Sequence, residues 1–106
     1  MSTFDDRERQ FEAKYSRDQE LQFKVQVRRN RLLGEWAADK LGLTGESRVA
    51  YAKEVVASDF EKPGDDDVLQ KVLGDLTRQN VAVDARDVRD RMNELLGVAK
   101  KQVMEE

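Results

Sequence analysis

The sequence has neither cysteine nor histidine among its 106 residues. Without cysteine it can form no disulfide framework and offers no thiol nucleophile. Without histidine it lacks the commonest general base, the commonest metal ligand and the usual switch of charge near neutral pH. Because these absences remove most familiar active sites, the sequence predicts a protein that is not an enzyme and uses no cofactor.

Long apolar runs are missing as well. No stretch approaches the ~20 apolar residues of a membrane-spanning helix, and no signal peptide precedes the first charged residues. We therefore expect no direct membrane insertion and a cytoplasmic location. The net charge of -3 argues against nucleic acid as a partner, because such binding usually requires a basic surface.

Charge is what the sequence has in abundance. Charged residues make up 39% of the chain, whereas an average globular protein has about 25%. Apolar residues also make up 39%, which is enough for one thin core with large solvated faces. Such a composition favours amphipathic helices over a sheet sandwich, so the predicted fold class is all-α.

The longest amphipathic pattern begins near Asp18 and predicts one long helix. It ends at Gly42, a residue suited to the left-handed conformation after a helix. Arg29 interrupts the apolar stripe, and we expect its stem to lie along the stripe while its guanidinium reaches water. The stripe contains Leu21, Val25, Leu32 and Trp36.

Three further helices follow from spacings of three and four between apolar residues. The first of these follows Thr44, the next begins at the aspartates 65–67, and the last is capped by Asp84. Together with the long helix they predict a four-helix bundle over residues 20–106. The predicted buried stripes are Val49, Ala52, Val56 and Phe60; then Val68, Leu69, Val72, Leu73 and Leu76; then Val88, Met92, Leu95, Ala99 and Val103.

The first 19 residues have a different pattern. Phe4, Phe11 and Tyr15 are spaced seven and four apart, which places the three rings on a narrow stripe of a helix. The residues between them are charged or polar except Ala13. Either the rings pack on the bundle and extend its first helix, or they are the anchors of a helix that binds in a groove of a partner.

Two clusters of charge are candidate sites. A calcium loop starting at Asp59 would need a bidentate glutamate at its twelfth position, but Gln70 stands there. Residues 65–67 are therefore better interpreted as acids at a helix N-terminus, and no metal site is expected. Arg28, Arg29 and Arg31 could contact a phosphate. No glycine-rich phosphate loop accompanies them, and the alternative is solvated charge on a long helix.

Four stretches resemble a known family. TFDDRERQFEAKY, RRNRLLGEWAADKLGL, YAKEVVASDFEKPGDDDVLQKV and MNELLGVAKKQV are similar, in order and over essentially the whole chain, to the zeta-subunit family of alphaproteobacteria. Its members are natural inhibitors of the F-type ATP synthase. The resemblance implies a four-helix bundle at residues 20–106 that carries a mobile, conditionally helical segment at residues 1–19.

In the family this segment is held to enter the catalytic head at an α/β interface near the γ shaft, and to block rotation. The resemblance therefore implies α, β and γ subunits as partners, a monomeric inhibitor, and a location at the cytoplasmic face of the membrane. Phe4, Phe11 and Tyr15 would be the anchors, with Phe11 outside the bundle core. The polar contacts would come from Asp5, Asp6, Arg7, Glu8, Arg9, Glu12, Lys14 and Arg17.

The family is also associated with weak adenine-nucleotide binding, for which Arg28, Arg29 and Arg31 are the candidate residues. The sequence departs from the family at Ser16, where a histidine is frequent, and at Glu35, where an apolar residue is frequent. Two other functions remain open. One is a helical adaptor whose N-terminal helix binds an unrelated partner, and the other is a nucleotide- or nucleic-acid-binding regulator that uses the three arginines.

Overall fold

The computed structural model describes residues 3–61 and 64–106, with side chains for all of these except 3–5 and 61. Within these ranges the chain forms five helices and no strand, which confirms the all-α prediction. The helices are α1 (Thr3–Tyr15), α2 (Gln19–Lys40), α3 (Gly45–Glu61), α4 (Asp65–Arg78) and α5 (Ala85–Met104).

The 22-residue helix α2 is central, because it packs against each of the other four helices. Its start is fixed by Asp18, whose carboxylate accepts a hydrogen bond of 3.1 Å from the amide of Leu21. Gly42 follows its end with φ of +76°, the left-handed conformation that the sequence predicted. The long predicted helix is confirmed.

The main core lies among α2, α3, α4 and α5. The stripes predicted for the last two helices are confirmed, with Leu73 and Leu95 half-buried and the remainder buried. Asp84 and Asp87 form a capping box at the start of α5, with reciprocal bonds of 2.9 and 3.0 Å. The buried core residues are Leu33, Ala37, Ala38, Tyr51, Val55, Val68, Leu69, Val72, Leu76, Val88 and Met92.

Helix α3 presents a different face to the core from the predicted one. Of the predicted stripe Ala52 is buried, whereas Val49 and Phe60 are 52% and 56% exposed, and the core instead takes Tyr51 and Val55. The cause is the contact with α2, since a Cβ on Gly34 would lie 2.7 Å from the Cα of Ala52. In addition, the hydroxyl of Tyr51 donates a 2.7 Å hydrogen bond to Asp75 of α4. The rotation of α3 follows from these contacts.

Gly34→Ala tests this close approach. A methyl group at 2.7 Å from a backbone carbon forces α2 and α3 apart, so we expect the free energy of unfolding to fall by about 1–3 kcal/mol despite the better helix propensity of alanine. Gly97→Ala in α5 is the matched control, because nothing lies within 4 Å of its Cβ position. Urea denaturation should show Gly97→Ala unchanged or up to ~1 kcal/mol more stable. Equal stability of the two variants would contradict the close-packing interpretation.

Candidate functional site: the N-terminal helix

Helix α1 is a short helix of mixed charge joined to α2 by a tight turn. Arg9 and Asp6 form an ion pair of 3.0 Å one turn apart, on the exposed side of the helix. The helix ends where the hydroxyl of Ser16 donates to the carbonyl of Ala13 at 2.8 Å. The side chain of Gln22 then donates to the carbonyl of Tyr15 at 2.7 Å, which ties the end of α1 to the first turn of α2.

Two of the three predicted anchor rings lie on the core. Phe11 and Tyr15 are half-buried, and their rings stack with centroids 6.3 Å apart and planes inclined by 19°. They pack on a second small cluster of buried residues, separate from the main core. The expectation that Phe11 lies outside the core is therefore wrong, because apolar residues of α2 and α5 offer a surface that removes both rings from water. That cluster contains Val25, Ala99 and Val103, with Leu21, Leu32 and Leu96 at its edge.

Lys100 of α5 holds α1 from outside the ring cluster. Its Nζ lies 4.4 Å from the centroid of the Tyr15 ring and 3.3 Å from Oε1 of Glu12. At exposed positions, a cation over an aromatic face and an ion pair each stabilise a protein by about 0.5–1 kcal/mol. This contact is not visible in the sequence pattern, because Glu12 and Lys100 are 88 residues apart.

The remaining predicted contact residues with described side chains, in α1 and in the turn after it, face the solvent. Glu12 points toward Lys100, so the structure groups Phe11, Glu12 and Tyr15 on the side that meets the core. The side chains of Phe4 and Asp5 lie outside the described residues. The exposed residues are Asp6, Arg7, Glu8, Arg9, Lys14 and Arg17.

The three arginines of α2 have separate environments. Arg28 donates to Gln102 at 3.0 Å and pairs with Glu106, while Arg31 is exposed. Arg29 is only 3% exposed and donates to Asp65 at 2.8 Å, so the expectation that its guanidinium reaches water is wrong. The structure does not gather the three onto one surface, and adenine-nucleotide binding stays a prediction.

Arg29 belongs to a buried polar network that joins α2 to the segment between α3 and α4. Its Nε donates to Asn30 at 3.0 Å, and the Asn30 amide donates to Asp59 at 2.9 Å. Asp59 in turn accepts from the backbone N–H of Gly64 at 3.3 Å. The guanidinium of Arg29 holds the pKa of Asp65 below its usual value of 3.8, against the opposing effect of partial burial.

In the part of the chain that the structure describes, no group of three histidine, cysteine, aspartate or glutamate side chains is placed to hold a metal ion. None of the described helices is long and apolar enough to cross a membrane. What α1 offers is a surface: two stacked rings on one side and charges of both signs on the other.

A comparison with models of protein families matches residues 1–102 to the family described as ATPase inhibitor subunit zeta. The chain belongs to this zeta-subunit family. It is similar to a protein with a solution NMR structure at 46% identity and a TM-score of 0.71, over 80% of this chain and 96% of that one. A comparison with curated proteins gives no match. As a zeta subunit the chain is a regulatory protein rather than an enzyme, and ATP synthase is the partner of its family.

Three carboxylates held by cations or hydrogen bonds in separate places predict how stability depends on pH. Asp65, Asp75 and Glu106 have pKa values below their usual ones, and hence release protons more readily in the folded than in the unfolded chain. Their contribution to stability is complete above the unfolded pKa of about 4 and is lost as the pH falls through the folded values. With no histidine to titrate, the free energy of unfolding should be nearly constant between about pH 6 and 8 and should fall below about pH 4.

Asp65→Asn should lower the free energy of unfolding at neutral pH by about 1 kcal/mol, a modest value because water screens this half-exposed carboxylate. In the same variant the free energy of unfolding should fall less steeply as the pH is lowered below about 4. Asp66→Asn, in the same turn, removes only an ion pair with Arg89 at a carboxylate that is 87% exposed, so it should behave nearly like the unchanged chain. Urea titrations over the pH range measure all three proteins, and an identical acid decline in Asp65→Asn would contradict the role given to Asp65.

Proposed function

We propose that the chain inhibits ATP hydrolysis by the F-type ATP synthase through residues 1–19. This segment enters the catalytic α/β interface near the γ subunit as a helix and blocks rotation. The observation that carries the proposal is the stacked pair of Phe11 and Tyr15 on a helix whose other sides are charged. Such a helix presents apolar anchors at the spacing that groove-binding helices use, and its charges of both signs suit a polar cleft.

The attachment of α1 to the rest of the chain is weak enough to be reversed. It consists of the ring cluster, the hydrogen bond from Gln22 and the contacts of Lys100. An isolated helix of 13 residues is marginal in water, so a released α1 would be mobile until a partner ordered it. Residues 20–106 would remain a folded four-helix bundle, since α2–α5 have their own core.

Release of α1 is a required step in this proposal. The faces of Phe11 and Tyr15 cannot contact the cleft while they lie on Val25 and Val103. The apparent affinity for the enzyme is therefore the intrinsic affinity reduced by the fraction of chains in which α1 is free. Inhibition involves no bond making, and the monomer acts at the cytoplasmic face of the membrane.

The first test is ATP hydrolysis by the isolated catalytic head with the full chain, with residues 18–106, and with Phe11→Ala. The shorter chain keeps Asp18, which caps α2, and circular dichroism should show it folded. We expect inhibition by the full chain, none by residues 18–106, and a large loss with Phe11→Ala. That variant should also lose ~1–2 kcal/mol of stability, about half the cost of deleting a fully buried ring.

Phe23→Ala is the matched control, because it removes the same side chain from an exposed position on α2 (56% exposed). It should inhibit like the unchanged chain. Equal inhibition by the full chain and by residues 18–106 would place the inhibitory site in α2–α5. Inhibition by neither would contradict the proposal altogether.

Lys100→Ala separates the held form from the released form. Removing the contacts to Glu12 and Tyr15 should favour release by ~1 kcal/mol, which lowers the concentration for half-inhibition about fivefold. Lys101→Ala, one position along α5 and exposed, should leave that concentration unchanged. Weaker inhibition by Lys100→Ala alone would mean that Lys100 itself contacts the enzyme, and would overturn its assignment as the residue that holds α1.

A further inference from the structure

The face formed by α2 and α3 carries apolar side chains that no part of the described chain covers. Phe23 and Phe60 are each 56% exposed, and their rings contact each other with centroids 5.6 Å apart. Val49 is 52% exposed. Single apolar residues on a surface are ordinary, but a contiguous group along two helices marks an interaction surface.

This face is concave. The groove between α2 and α3 has a volume of about 320 Å³, and its apolar lining includes Val27, Val49, Val56 and Phe60. Ala52 lies in its floor, at the point where Gly34 lets the two helices come close. Helix α3 therefore has two apolar sides, one of which packs in the core while the other lines this groove. A shallow apolar channel along two helices has the shape that accepts a third helix.

The charged residues that line the groove indicate which charge a partner's surface should carry. Arg31 of α2 and Lys53 of α3 line it, both exposed, and neither makes an ion pair within residues 3–61 and 64–106. Glu35 also lines the groove, but it pairs with Arg48 at 3.6 Å. The chain as a whole has a net charge of -3, so two cations without acidic partners beside an apolar channel are a local reversal of sign. Acidic side chains on a partner would complement them.

We propose that the α2–α3 groove is a docking site for an amphipathic α-helix of another protein, one whose apolar stripe is bordered by aspartate or glutamate. A second copy of this chain fits less well, since a twofold contact would set Arg31 and Lys53 against the same cations. Helix α1 also fits less well, since its described charges are of both signs. A lipid surface is flat and would leave the floor at Ala52 uncovered.

The test uses the full ¹⁵N-labelled chain and two synthetic 17-residue peptides, each as long as α3. Both carry leucine at helical spacing; one has glutamate at the flanking positions and the other has lysine. We expect the acidic peptide to shift the amide resonances of Val27, Ala52 and Val56, and the basic peptide to leave them unchanged. The double variant Arg31→Glu with Lys53→Glu should reverse this preference, because both side chains are exposed and can be exchanged without disturbing the core.

Val49→Asp should weaken binding of the acidic peptide at least about tenfold, whereas Val98→Asp, an exposed valine of α5, should not change it. Binding of neither peptide, equal binding of both, or shifts confined to α1 and α5 would each overturn the proposal. So would self-association through this face, detected by sedimentation. The site is independent of the inhibitory segment, since none of its lining residues belongs to α1.

Discussion

The contact of Gly34 with Ala52 is the constraint on which the arrangement of the chain depends. Because a side chain at Gly34 would collide with the backbone of α3, its absence lets the two helices meet at close range at this point with α3 in this rotation. Tyr51 and Val55 then face the core, and Tyr51 reaches Asp75 on α4. The same rotation turns the other apolar side of α3 toward the solvent. One small residue in the central helix thus determines both which side chains build the core and where an open groove lies.

A second constraint is electrostatic. Among the charged residues that the structure describes, Arg29 is the one that is buried, at 3% exposure. Isolated, that guanidinium would be costly to remove from water, so it is acceptable only with its partners in place. Asp65 and Asn30 are those partners, and each described buried side-chain nitrogen or oxygen has a hydrogen-bond partner. The network draws the beginning of α4 onto α2, and it engages Asp65 and Arg29 with each other.

The sequence predicted some parts of this structure well and others poorly, for physical reasons. Helices α4 and α5 were predictable because each has one apolar stripe and a clear start, the aspartates 65–67 and the Asp84 cap. The rotation of α3 was not, because it has two apolar stripes and the choice between them depends on a contact with Gly34. Arg29 was misplaced because its acidic partner lies 36 residues further along the chain. For the candidate site, the stripe of Phe11 and Tyr15 was evident from spacing, but its seat on α5 and the contact with Lys100 depend on tertiary packing that local pattern does not encode.

The small size of the apolar stripe on α1 limits how strongly this helix can bind to any surface. A 13-residue helix is marginal alone, so some other surface must supply the contacts that keep it ordered. In the free chain that surface is the small cluster around Val25 and Val103, which in the proposed mechanism competes with the partner for the same two rings. A larger stripe would bind the core so firmly that little of it would be released, and a smaller one would anchor to neither surface. The proposed mechanism requires a balance between these limits, and two rings with one cation over the Tyr15 ring form a stripe of intermediate size.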